Sequence, residues 1–274
     1  MFNKEAIEAM QYGSGIREAS DAVRAAFAEA HVIGLPQHFV MHDLERFLPN
    51  RRRARGMMET SSIQDFADYV KRNAEAGSTV FVNGKSMMAD AVLNLGTPEA
   101  PGHADNRARV KPDTTAAYAA LRAIAQGQAL EQTRVAEFME DWAPHIICLK
   151  DDEDVPLKRA IGAVRNITIE GLRKVEASEH QLSASKSTFE AVTASSKDPM
   201  PTKIHFHCEP YHGFKNRLFV IRVGIRTSEK PAITLRIVNV ELREEQMAQE
   251  LADKVRAAVG DACPVLIGDY SCRQ

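Results

Sequence analysis

The sequence predicts a mixed α+β fold in which helices and antiparallel sheet are segregated along the chain. Two patterns carry this reading. Apolar residues recurring every three or four positions mark helices, and strict alternation of apolar and polar residues marks half-buried strands. Their order is helices, a small antiparallel sheet, helices, a larger antiparallel sheet and a closing helix, which disfavours a doubly wound parallel fold. The chain has 274 residues, 44% hydrophobic and 26% charged. That is globular composition, with enough length to bury a core without disulfide or metal staples. The expected organisation is an N-terminal helical segment over 1–60, an α+β region with a small meander over 61–170 and an antiparallel β region with a C-terminal helix over 171–274, or one continuous domain.

Residues 2–11 and 15–31 read as helical, the second with Ile16, Ala19, Val23, Phe27 and Ala30 as its apolar stripe and Gly34 and Pro36 as its end. HDLERFLPN reads as a short helix stopped at Pro49. Ser62 followed by Asp65 resembles a capping box for IQDFADYVKRN, whose buried face is Ile63, Phe66, Ala67 and Val70. The period then changes. STVFVN, MMADAVLNLG and HADNRARVKP read as three strands of a meander over 78–112, with Asn83-Gly84 as the first hairpin turn. Residues 113–141 return to helix, capped by Asp113 or Thr114, with Val135, Phe138, Met139 and Trp142 facing the core and Pro144 as the stop. The acids Asp151, Asp152, Glu153 and Asp154 read as the N-terminal run of a helix through LKRAIGAVRNITIE, where the helix dipole favours negative charge.

The polar stretch 178–203 admits either a hairpin or a mobile connection. Beyond it the β signal is clearest. In RLFVIRVGIR, Phe219, Ile221, Val223 and Ile225 alternate with Leu218, Val220, Arg222 and Arg226, so one face is apolar and the other mixed. AITLRIVNVEL repeats the pattern after TSEKP, and TKIHFHCEPY precedes it as a third strand. A helix with Met247, Leu251, Val255 and Val259 and a short strand PVLIG close the chain.

The formal net charge is −2, from 35 basic and 37 acidic residues, so no global field draws the chain to nucleic acid or membrane. Cys148, Cys208, Cys263 and Cys272 are scattered, without a CxxC pair, and read as reduced thiols. No secretion signal and no apolar run of membrane-spanning length is apparent, so the expected location is the cytoplasm.

Three clusters are candidate sites. His205 and His207, two apart on a strand, share a face and can chelate one ion, with His212 after a turn as a third ligand; Cys208 points to the opposite face. The plainer alternative is a strand whose polar face carries two histidines. Asp105, Arg107 and Arg109 alternate onto one face, where guanidinium groups suit phosphate or carboxylate, or an internal ion pair. Arg51, Arg52, Arg53 and Arg55 form the densest basic run, suited to nucleic-acid phosphates or to a solvated loop, with no aromatic interleaving. Asn83-Gly84-Lys85-Ser86 lacks the glycine a phosphate loop needs, and no nucleophile elbow or HExxH occurs. No motif asks for a cofactor.

The stretches RARGMMETSSIQDFADYVKRN, AVLNLG, GHADNRARV, EFMEDWAPHI, FHCEPYHGFKNRLFVIRVGIR and PVLIG, in that order over roughly 45–270, resemble the YfdQ-like proteins of tailed phages and prophages. Where that family carries Asp-His-Arg-Ala, this chain has Asp105-Asn106-Arg107-Ala108, which implies a structural or binding role for the segment. The resemblance implies an early, non-virion accessory role. The expectation is therefore a non-enzymatic protein that forms a homo-oligomer and binds a host protein, a nucleotide-like ligand or DNA. The alternatives are a metal-dependent hydrolase or nuclease using His205 and His207, and a DNA-binding helper of recombination or replication.

Overall fold

In a computed structural model of the chain, the described residues are 45–167, 198–226 and 232–271, together with Gly15 and Asp21, both helical. The rest of the helices expected over 2–31, the stretch 178–197 and the TSEKP turn lie outside the described residues. The chain divides into two compact units, Met1–Ala54 and Arg55–Gln274. In the first, the HDLERFLPN expectation becomes one 3₁₀ turn, Glu45–Phe47.

The second unit carries two sheets. Sheet 1 is built from β1 (Gly56–Thr60), β2 (Thr79–Asn83), β3 (Met88–Val92), β4 (Asn106–Val110) and β11 (Val265–Ile267), in the order β1-β4-β3-β2-β11. Its centre is the expected antiparallel meander, and its two edges are parallel pairs that bring in distant chain, β1 on β4 and β11 on β2. Helix α1 (Ile63–Asn73) packs on this sheet and buries Phe66, Ala67 and Val70. Its start is the expected cap: Ser62 Oγ accepts the Asp65 N–H at 3.2 Å.

Sheet 2 contains β5 (Gln126–Leu130), β6 (Ile146–Lys150), β7 (Glu153–Val155), β8 (Lys203–Cys208), β9 (Arg217–Arg226) and β10 (Ala232–Ile237), ordered β5-β10-β9-β8-β6-β7 and antiparallel throughout. Its inner face meets α2 (Ala116–Ile124) and α3 (Gln132–Asp141) through ring contacts such as Phe138–Phe206 at 5.7 Å and Tyr118–Phe219 at 5.2 Å, and α4 (Leu157–Arg165) packs on α3 and β6. Helix α5 (Val240–Val259) buries Met247, Leu251, Val255 and Val259 as its spacing predicts, and it packs on α1 and sheet 1. Buried side chains of both sheets and of the five helices α1–α5 among the described residues belong to one core.

Several local expectations are corrected. Thr115, rather than Asp113 or Thr114, caps α2, its Oγ1 accepting from the Tyr118 N–H. The helix expected over 113–141 is two helices separated by β5, where Gly127 takes a φ of 76° that no helix accommodates. Asp151 and Asp152 do not start a helix. With φ of 52° and 68° they form the two-residue mirror-image turn that joins β6 to β7, a conformation Asp tolerates and the strand twist favours. The Asn83-Gly84 hairpin exists, but its connection is longer. Asn83 ends β2 and its Oδ1 accepts the N–H groups of Lys85 and Ser86, while Met87 takes the left-handed conformation.

Candidate functional site

Each sequence-predicted cluster has a definite position. Arg51, Arg52 and Arg53 are exposed in the first unit, where the Arg52 backbone N–H donates to Glu45; Arg55 opens the second unit. Arg107 and Arg109 project from the outer face of β4, as their alternation predicts, and Asp105 lies just before that strand. Arg107 Nε donates to the Ala104 carbonyl and its guanidinium lies 5.6 Å from the Tyr270 ring centroid. Asp105 accepts from the Asn94 amide at 2.8 Å. Arg109 bonds to Asp90 at 2.7 Å and lies 3.6 Å from Glu59. The hydrogen bond to Asp90 raises its pKa above the ordinary arginine value.

His205 and His207 share the outer face of β8, and Cys208 is buried on the other. Burial pushes the Cys208 thiol up to about 12, which makes it an unreactive core thiol. His207's carbonyl lies 2.7 Å from Nδ1 of His145, which places the proton on that nitrogen. His212 sits in the turn after β8, its N–H donating to the Asp113 carbonyl. Among the described residues no three His, Cys, Asp or Glu side chains are grouped to hold a metal ion.

What distinguishes the two sheets is the charge register on their outer faces. In sheet 1 the residues directly across from one another are Glu59, Arg109 and Asp90, so one cation lies between two anions. In sheet 2 the corresponding row is Lys203 on β8, Arg222 on β9 and Arg236 on β10. Three cations stand side by side on adjacent strands. Neighbouring strands are about 4.8 Å apart, and like charges directly opposite are destabilising. Lys203 has one acidic neighbour, Asp152, at 2.7 Å, and that contact holds the Asp152 carboxyl below its ordinary pKa. Arg222 and Arg236 are exposed and, among the described residues, have no hydrogen-bond or ion-pair partner.

The surroundings of the row extend this face. Arg226 projects from the same side of β9, and between it and Arg222 stands Gly224, opposite Thr234. A Cβ at Gly224 would meet Thr234 Oγ1 at 2.6 Å, so the face stays flat there. One register step toward the other end, Ile147, His205 and Val220 lie across three strands, followed by His207 beside Leu218. Ile147 is 46% exposed. Burial, then the charges of His207 and Lys203, depress the His205 pKa, with Asp152 and Asp154 pulling the other way. That imidazole is therefore neutral near pH 7, and a bound anion would favour its protonation.

Lys203, Arg222, Arg226 and Arg236 do not stand out as a group in the sequence. A signal was present, since Arg222 and Arg226 follow the apolar outward positions Leu218 and Val220 on β9. What makes them one feature is the pairing of three strands.

A separate groove of about 890 Å³ lies among Tyr118, Tyr211, Lys85, Met247 and Ala248. Its charges are of mixed sign, with Arg122 bound by Glu244 at 2.6 Å.

A family model matches residues 4–270, nearly the whole chain. The chain belongs to the uncharacterized conserved protein family DUF2303. Searches among curated proteins and among solved structures return no match. Membership in DUF2303 brings no activity with it. In this DUF2303 chain the paired charges of sheet 1 satisfy one another, whereas Arg222 and Arg236 of the row on sheet 2 have no acidic partner among the described residues.

Proposed function

We propose that this DUF2303 protein is a non-enzymatic binding protein and that it holds nucleic acid on the outer face of sheet 2. The observation that carries this is the in-register row Lys203, Arg222 and Arg236, where two arginines lack a carboxylate among the described residues. A polyphosphate backbone supplies anions at short repeat, and neutralising them releases condensed counterions. The near-zero net charge does not oppose this, because a local patch acts within a Debye length of about 8 Å at physiological salt.

The resemblance to YfdQ-like phage and prophage proteins supports an early accessory role in the cytoplasm of a bacterial host. Self-association belongs to the same reading. A homo-oligomer would set several such faces on one polymer and raise avidity without new contacts. The native mass of the purified chain reads this part directly.

The binding test is fluorescence anisotropy with a labelled oligonucleotide at several salt concentrations. Three neutralised phosphates give a slope of log K against log salt of about −2 on single strands. The double variant Arg222→Glu, Arg236→Glu should abolish binding while leaving the circular dichroism spectrum unchanged, since both side chains are exposed. Equal binding by wild type and double variant, or salt-independent binding, would remove the basis of the proposal.

A further inference from the structure

Resting on that reading, we infer that the outer face of sheet 2 is built for a single strand rather than a duplex, with phosphates along Lys203, Arg222 and Arg236 and bases against the His205, His207 and Ile147 side of β8. Three features of the face lead to this.

The first is shape. A protein reads a duplex by sending a helix or a two-stranded ribbon into a groove about 12 Å wide. This face offers a sheet seen from its broad side, and its middle is lowered by Gly224, Ala232 and Thr234.

The second is the extent of the charge. Two strand spacings of about 4.8 Å set the length of the row at about 10 Å. Arg226, four residues along β9 from Arg222, lies about 13 Å to one side of the row, beyond Gly224. This is a single short track of positive charge, suited to one backbone rather than to two separated by a groove.

The third is what adjoins the track. One register step from the cations, Ile147, His205 and Val220 stand in line, with His207 and Leu218 beyond. A duplex keeps its bases stacked inside and would leave these side chains uncovered. Unpaired bases can stack on an imidazole ring, as they do on the aromatic side chains of sheet-based single-strand modules. His207, exposed and on the outer face, is the more accessible of the two imidazoles. The face therefore has the two parts a single strand requires, a charged track and a stacking surface, side by side on β8 and β9.

The test compares a labelled, unstructured single-stranded oligonucleotide, the corresponding duplex and inorganic polyphosphate on the full chain, with Arg222→Gln and His207→Ala as variants. The expected result is tighter binding of the single strand than of either other probe. Arg222→Gln should weaken all three probes and make the salt slope shallower by about 0.7 on single strands. His207→Ala should weaken only the single strand, by about tenfold, with the salt slope unchanged, because it removes stacking and not charge. Duplex binding as tight as single-strand binding, with His207→Ala silent, would overturn the single-strand inference and leave nucleic-acid binding standing. Polyphosphate binding as tight as the single strand would reduce the face to a bare anion site and overturn the stacking half. Binding of none of the three would overturn the proposed function itself.

Discussion

At the scale of residues, the decisive comparison is between two arginines that each stand between two cross-strand neighbours. Arg109 and Arg222 each stand on the outer face of a strand flanked by two others. Arg109 has Asp90 and Glu59 as cross-strand neighbours, and Arg222 has Lys203 and Arg236. The first arrangement stabilises the sheet and the second opposes it. Replacing Arg222 by Gln should therefore stabilise the free protein by about 0.2–1 kcal/mol in low-salt urea denaturation, even as it weakens binding. The gain should shrink as salt screens the repulsion. A loss of stability in Arg222→Gln would show that the row is not under electrostatic strain. Sequence reading favoured Arg107 and Arg109 because they sit close together in the chain, and it also noted an exposed-face arginine at 222. It had no means of telling which arginine would find an acid across the sheet.

Among the elements, those with a strong local signal were legible. Helix α1 has a cap, a 3.6-residue stripe and basic residues in its last turn, and all three are local properties. Removing the cap with Ser62→Ala should cost about 1 kcal/mol, measured by chemical denaturation of the intact chain, because the Asp65 N–H then loses its acceptor. A change indistinguishable from zero would mean water or Thr60 replaces the cap without cost. The strands that sequence missed are three edge strands and β6, which lies inside sheet 2 between β8 and β7. β5 has only Leu130 fully buried and carries no alternation to read. β1 shows one solvent-facing side, and β7 is three residues long. In such segments the pairing partner imposes the strand, and the partner of β5 lies about a hundred residues along the chain.

For the whole molecule, the binding face and the core are two sides of one sheet. Phe206 is fully buried, stacks on Phe138 and lies between His205 and His207 on β8. Phe206→Ala should cost about 3–5 kcal/mol in thermal or urea unfolding, and near the midpoint it should lose oligonucleotide binding together with structure. Retained stability would mean that the sheet can close around the gap, against the dense ring packing seen there. By itself the sequence determined the fold class, the helix α1 with its cap, the central meander, the apolar faces of β8, β9 and β10 and the stripe of α5, because each is written in a period of two or 3.6 residues. The tertiary structure alone decided the parallel edges of sheet 1, the recruitment of β5, β6 and β7 into sheet 2 and the meeting of Lys203, Arg222 and Arg236. Periodicity fixes which face a residue takes, whereas cross-strand neighbours depend on strand order and register, which are set only when distant segments pack on a common core.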